Sequence, residues 1–380
     1  MKRSIFFFIA LALCLFAVAQ QITHETTVIN IEVPVRVFDK EKFIDHLTID
    51  DFELYENGKL QNILAVYLVK KSTPERKMET AKETKETIVP NFSRNFILIF
   101  NVYDYLKKID EALDYFFNNV LLPGDTVKAV TPLKTYSLNK AALDRAPRQE
   151  TKNRLREILR KDIILAGSEY RSFYGQIETI VNDEGIEEDV KRSMCLELLR
   201  KMKELSNVDE SRLLEISNKL KQTEGQKIIF LFYQKEVLPI PPFLAEIAPI
   251  ELRKDVSFSV EPIRRAFSDA SITIHFIFLT NRASYQDNIN RLAKSGINMQ
   301  DNSAEIFSAF TVLAKTTGGL TESSANAASA FKKAMDASEN YYLLYYHPSD
   351  YKKDGTFKEI KVKIKNQNYT ITHRAGYLAD

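Results

Sequence analysis

The sequence predicts a mixed α/β fold, with a parallel-sheet domain covered by helices on both faces and inserted into a discontinuous antiparallel β domain. Three observations lead there. The runs NFILIF from Asn95, KIIFLFY from Lys227 and ITIHFIFL from Ile272 are unbroken and apolar, as strands buried on both faces are. Stretches of helical periodicity separate them, the arrangement of a parallel sheet with crossovers. Alternating, strand-like segments lie at both ends of the chain, and neither end alone has strands enough for a stable sheet.

Residues 1–19 stand apart. Lys2 and Arg3 precede an apolar core from Ile5 to Val18, and Ala17-Val18-Ala19 reads as a cleavage site. That is the pattern of a secretory signal peptide, too short for a good membrane span, and it implies a periplasmic or secreted protein. A lipid anchor at Cys14 is the rival reading, although Leu13 stands where a small residue is expected. Removing Lys2 and Arg3 brings the 53 basic residues level with the 51 acidic ones. A neutral chain exerts no general pull on nucleic acid or anionic lipid. Cleavage also leaves Cys195 as the one cysteine, so no internal disulfide is expected. Its neighbours Met194, Leu196 and Leu198 suggest a buried thiol.

Residues 20–70 form the N-terminal β segment. In VINIEVPVRVF the residues Ile29, Ile31, Val33, Val35 and Val37 share one face, and Pro34 marks an edge or bulged strand. Asn57-Gly58 between two strand-like runs predicts a hairpin, because both central residues of that turn need positive φ. Residues 71–93 are charged, contain Pro74 and Pro90, lack apolar periodicity, and read as a linker.

The α/β domain is expected over 94–338. Ile109, Leu113, Phe116, Phe117 and Val120 mark a helix face. A turn at Leu122–Asp125 leads to a strand at Thr126–Val130, with Lys134–Leu138 beside it. Residues 141–222 read as a helical insertion with two stripes: Leu155, Ile158, Leu159 and Ile163, then Val190, Met194, Leu198, Met202 and Leu205. The loop from Glu236 to Ile250 carries Pro239, Pro241, Pro242 and Pro249 and cannot be one regular element. Its Leu238, Ile240 and Phe243 form a partner site if exposed; otherwise the loop folds over the adjacent helices. Thr316-Thr317-Gly318-Gly319 ends a helix, and Ala327–Ala337 forms the last one. In the C-terminal β segment, 339–380, strands are expected at Tyr341–Tyr346, Phe357–Ile364 and Tyr369–Arg374.

Catalytic signatures are missing from the sequence: it holds no G-x-S-x-G, P-loop, G-x-G-x-x-G or H-E-x-x-H. The five histidines are scattered without metal-ligand spacing. His275, inside an apolar strand, reads as a satisfied core residue. An enzyme is therefore not expected.

Taken together, VPVRVFDKEK, LTIDDFELYENGKLQNI, RNFILIFNV, LLPGDTVKAV, QKIIFLFY, LAKTTGGL and the ending ENYYLLYYHP to ITHRAGY resemble one family in order and spacing. The chain resembles the bacterial exported von Willebrand factor A-related proteins of acidobacterial type, over nearly all of the mature length. The resemblance implies a Rossmann-like A-domain, strand order 3-2-1-4-5-6, and an extracytoplasmic binding role. In such domains a divalent cation is commonly held by Asp-x-Ser-x-Ser after the first strand and by an Asp after the fourth. Here those positions read Asn101, Tyr103 and Tyr105, then Tyr233, Gln234 and Lys235. A hard cation wants compact oxygen ligands and negative charge, so neither Mg²⁺ nor another cofactor is expected. Asp104 has the wrong parity for a ligand. Ser168 and Ser172, in the helical region, are the candidates for a third ligand.

The candidate binding residues are Asn101, Tyr103, Asp104, Tyr105, Tyr233 and Gln234. The tyrosines either converge as a metal-free docking face for a protein partner or fill the vacated ion pocket. The expected function is an exported, non-enzymatic interaction or adhesion module. The alternatives are a metal-dependent adhesion domain with unconventional ligands and a structural subunit of an envelope complex.

Overall fold

The computed structural model describes residues 29–380 except 41, 71–72, 80–92, 139–142, 144–146, 255–257, 281–288, 325 and 366–367. The signal peptide expected at 1–19 and most of the expected linker lie outside the described residues.

The N-terminal segment contains β1 (Ile31–Asp39), β2 (Lys42–Phe43), β3 (Phe52–Glu56), β4 (Lys59–Gln61), β5 (Ile63–Lys70) and β6 (Thr73–Glu79). Asn57 and Gly58 connect β3 to β4 with φ of 47° and 80°, the left-handed pair that a tight hairpin requires. β6 corrects the linker reading, because TPERKME pairs along β5. An edge strand is held by backbone hydrogen bonds and needs no apolar alternation of its own, and Pro74 is tolerated at such an edge.

The central part runs β7 (Arg94–Asn101), α1 (Lys107–Tyr115), β8 (Thr126–Val130), β9 (Thr135–Leu138), α2 (Arg148–Asn182), α3 (Glu188–Ser206), α4 (Glu210–Lys221), β10 (Gln226–Gln234), β11 (Val237–Ile240), α5 (Ala248–Lys254), α6 (Val260–Asp269), β12 (Ile272–Leu279), β13 (Asn298–Asp301), α7 (Ala304–Thr316), β14 (Thr321–Ser324) and α8 (Ala327–Ser338). Its main sheet has the order β9-β8-β7-β10-β12-β14. All neighbours are parallel except β8 and β9. Alternate residues of one strand face opposite layers. Phe96, Leu98, Phe100, Phe230 and Phe232 pack with α1, α8 and the first half of α2. Ile97, Ile99, Ile229, Leu231 and Tyr233 pack with α4, α6 and α7.

The C-terminal segment adds β15 (Asn340–Tyr346), β16 (Phe357–Ile364), β17 (Thr370–His373) and β18 (Gly376–Leu378). These strands interleave with those of the N-terminal segment. One antiparallel sheet has the order β17-β1-β15-β5-β6 and the other β18-β16-β3-β4. Val33, Val35, Val37, Leu54, Leu68, Tyr342, Leu344 and Val362 fill the space between them. β1 is therefore an interior strand, which corrects the edge reading of Pro34. The proline is accommodated because β17 pairs only with Val35–Phe38 and leaves Pro34 one neighbour, β15.

The outer face of the first sheet meets the N-terminal ends of the parallel strands. Arg36 donates to the Gly318 carbonyl at 3.0 Å, and Tyr341 and Leu343 lie beside Gln226, Lys227 and Thr273. The C-terminal ends of β7 and β10 are thus left facing away from the two antiparallel sheets. In a sheet of this order they flank the point where the connections reverse direction, the usual ligand position in open α/β sheets.

Two further sequence readings are adjusted by packing. α3 buries Cys195, Leu198, Leu199, Met202 and Ser206, while Val190, Met194 and Leu205 are exposed. The expected stripe contained Leu198 and Met202 but drifted around the helix. The buried set keeps the 3.6-residue period against α2 and β11. The proline-rich loop is also ordered. Val237–Ile240 pairs with β13, and Leu238 and Ile240 are buried against α2 and α3, so these two side chains offer no exposed partner site.

Candidate functional site

β7 ends at Asn101 and β10 at Gln234, in register one residue apart. The loop from Val102 to Leu106 crosses the end of the sheet and enters α1. Gln234 holds this loop from below. Its Oε1 accepts from the backbone N–H of Tyr103 at 3.2 Å and of Asp104 at 2.9 Å, and its Nε2 donates to Asp104 Oδ2 at 3.2 Å. Arg171 on α2 closes the loop from above, donating to the Tyr103 carbonyl at 2.7 Å and to Asp104 Oδ1 at 3.2 Å. Asn101 Nδ2 donates to the Ser206 carbonyl at the end of α3, at 2.8 Å.

The tyrosines do not converge, and this corrects the docking face expected from them. Tyr103 stacks on Tyr170 of α2 with ring centroids 4.0 Å apart, and its hydroxyl donates to the Lys235 carbonyl at 2.5 Å. Tyr105 turns toward α1, where its hydroxyl donates to Asp110 at 2.5 Å. Tyr233 is buried on the other face of the sheet, beside Phe276 and Phe278. Burial pushes the Tyr103 and Tyr233 phenols well above their ordinary range. Strand alternation separates Tyr233 from the loop, and different helices collect the other two rings. The three side chains enter three different cores.

These contacts also decide how the residues suit a cation. Of the six candidates only Asp104 carries a carboxylate, and Arg171 and Gln234 already occupy it. Asn101 turns its amide nitrogen to a carbonyl, and the Tyr103 oxygen is taken by Lys235. Lys235 itself pairs with Asp301 at 2.8 Å. Ser172 accepts from Gln176, and Ser168 donates to Leu165 within α2. The set does not fit a hard cation, which needs several unengaged oxygens in one place. Among the described residues no group of three or more His, Cys, Asp or Glu is placed to hold a metal.

Sequence reasoning missed the contribution of α2. Gly167 lets that helix approach the loop so closely that a Cβ there would stand 1.8 Å from the Tyr103 carbonyl oxygen. Tyr170 and Tyr174, one turn apart, both donate to the Val237 carbonyl, at 3.4 and 2.6 Å. A glycine within a helical pattern, followed by two tyrosines spaced by four, was the available signal. Gly167→Ala should push α2 off the loop and cost about 1–3 kcal/mol, as overpacking does. Urea denaturation measures it, and an unchanged midpoint would show that the close approach is not required.

At this end of the sheet a cleft of about 340 Å³ lies between the β7 loop, the β8–β9 turn, α2 and the end of α3. Asn101, Ser206 and Gln234 form its polar part, and Tyr103 and Tyr170 an aromatic wall. Leu133, Leu165 and Leu205 line it with 45%, 58% and 44% of their surface exposed. No helix among the described residues is long and apolar enough to cross a membrane.

No family model matches the chain, and no curated protein matches it. Among solved structures it is similar to the crystal structure of the human COPII-coat protein Sec24c, with 9% identity and a TM-score of 0.36. That match covers 76% of this chain and 44% of the other. A likeness at this level bears on neither family nor function.

Proposed function

We propose that residues 94–338 form a von Willebrand A-type domain in an exported, non-enzymatic interaction module, which binds a protein partner at the C-terminal end of its sheet without a metal ion. The strand order β9-β8-β7-β10-β12-β14, which is 3-2-1-4-5-6 when numbered along the chain, supports the domain reading. The occupied Asp104 and the amide-for-carboxylate positions Asn101 and Gln234 support the metal-free reading.

The observation that carries the binding role is the leucine-lined cleft. Three large aliphatic side chains left in water around one concavity are costly unless something covers them. A 340 Å³ space is of the size that takes a side chain or a short segment, with the half-buried Asn101 as its orienting polar group. The partner is therefore a protein that presents an aliphatic anchor.

The test is capture of partners from the native envelope by tagged mature protein, with Mg²⁺ and with EDTA. Leu165→Ser with Leu205→Ser should lower capture about tenfold or more, the range of a lost anchor. The melting temperature should hardly change, because both residues are exposed. Capture by the double variant at the original level would overturn the reading. Capture lost in EDTA would favour the metal-dependent alternative. A second exposed apolar pair, Val190 and Met194 on α3, favours the envelope-subunit reading; it gains if capture follows those two residues instead.

A further inference from the structure

On the other side of the α3 C-terminus lies a second cavity, of about 190 Å³. Lys203 and Asn207 line it from α3 and the residue beyond, Tyr233 and Glu236 from the end of β10, Phe258 from the approach to α6, and Asn302, Glu305 and Ile306 from the start of α7. Glu236 is 3% exposed. Its Oε1 accepts from the Ser206 hydroxyl at 2.5 Å, and its Oε2 from the Asn302 amide at 3.2 Å. Both donors are neutral. The nearby cation Lys203 directs its ammonium to the Leu252 carbonyl.

A buried carboxylate held by neutral donors is costly, because a charge out of water wants a counter-charge. Burial pushes the Glu236 carboxyl up to about 7, against the pull of Ser206, Asn302 and Lys203. The lining adds a second carboxylate, Glu305, in the first turn of α7, and the rings of Tyr233 and Phe258 as aromatic walls for an aliphatic stem. Carboxylates outnumber the one ammonium in the lining. The space is smaller than the roughly 300 Å³ at which drug-sized sites begin, so it suits a short aliphatic stem rather than a large cofactor.

We infer that this cavity binds a primary ammonium group on a short aliphatic chain, with Glu236 as its buried counter-ion, Glu305 as the second carboxylate and Asn302 as a polar neighbour. The chemistry is shared by a free alkylamine and by a lysine side chain of a partner. The inference does not rest on the leucine-lined cleft, and Leu165→Ser with Leu205→Ser should leave it untouched.

Isothermal titration of the full mature protein with n-butylammonium, Nα-acetyl-lysine methylamide, 1-butanol and butyrate tests it. Saturable binding is expected for the two ammonium compounds, and none for the alcohol or the acid. Tighter binding of the capped lysine assigns the site to a protein side chain; tighter binding of butylammonium assigns it to a free amine. Glu236→Gln should weaken the better ligand about tenfold or more. Exposed Glu305→Gln, which does not threaten folding, should weaken it about two- to threefold. Binding at pH 7 should also release protons, seen as a heat that varies with the buffer, and this release should vanish in Glu236→Gln. Equal binding of 1-butanol, preference for butyrate, or ammonium binding that neither variant weakens would overturn the inference.

Discussion

Replacing Arg94 with alanine should destabilise the protein by about 3–5 kcal/mol, the cost of leaving one partner of a buried ion pair unpaired. Arg94 opens β7, and Asp125 immediately precedes β8. Their side chains are 4% and 5% exposed. The contact is a two-point fork, with Nε to Oδ1 at 3.0 Å and Nη2 to Oδ2 at 2.6 Å. Asp125 Oδ2 also accepts from the Leu122 N–H at 2.7 Å, and Arg94 Nη2 donates to the Val120 carbonyl at 2.7 Å. One pair thus fixes the turn after α1 and the start of two neighbouring parallel strands. Most of the loss is the stranded Asp125 charge, so Arg94→Met with Asp125→Leu should recover much of it. Being buried, the pair should be indifferent to salt. Urea denaturation of the single and double variants measures both effects. A loss below about 1 kcal/mol for Arg94→Ala, the scale of a surface pair, would show that water reaches the site.

The Arg94–Asp125 pair was hidden in the sequence, and the reason extends to the whole site. The apolar parts of the fold were legible because they are local: each buried strand declares itself in its own six to eight residues. The split β domain was legible because the N-terminal strands pair among themselves only in twos, β1 with β2, β3 with β4 and β5 with β6, until β15 joins β1 to β5 and β16 pairs with β3. The hairpin at Asn57-Gly58 was legible from one dipeptide. By contrast β6 has no apolar signal, since its side of the sheet needs only a backbone ladder. The α3 stripe drifted because a spacing of four can be followed along a helix while it slowly leaves the buried face.

Side-chain direction at the loop was not legible at all. Whether Tyr103 faces solvent depends on Tyr170, Gln234 and Lys235, which lie 67 to 132 residues away in the chain. Chemical type was readable there: the sequence carries one carboxylate, two amides and three tyrosines where a cation site would need compact oxygens. Arrangement was not, and it is arrangement that sends the tyrosines into three cores and leaves a leucine-lined cleft beside them.

The second large effect concerns pH, through two buried groups that titrate against each other. His275 is 1% exposed. Its Nδ1 accepts from the Leu320 N–H at 3.1 Å, which places the ring proton on Nε2, 2.7 Å from the Ser338 hydroxyl. The ring is therefore neutral in the folded chain. Burial, with Arg36 adding to it, lowers its pKa from the ordinary 6.5 to about 3. Its contribution to stability is complete above pH 6.5 and is lost as pH falls from there toward 3, because the unfolded chain takes the proton first. At about 1.4 kcal/mol per unit the full loss is on the order of 5 kcal/mol.

Glu236 has the opposite sign. Its folded value of about 7 lies above the ordinary 4.5, so its contribution is complete below pH 4.5 and is lost as pH rises through 7, to the extent of about 3 kcal/mol. Between pH 4.5 and 6.5 the two slopes cancel, and their joint effect on stability should be nearly flat. Single variants expose each slope. Glu236→Gln should gain on the wild type by about 3 kcal/mol between pH 4.5 and 7.5. His275→Gln, whatever its cost at neutrality, should recover relative to the wild type as the pH drops below 6.5. Urea denaturation at half-unit steps of pH measures both difference curves, in which the other carboxylates drop out. A flat curve for Glu236→Gln would mean that Lys203 or water already neutralises that carboxylate, and a flat curve for His275→Gln would mean that the ring can take a proton without leaving the core.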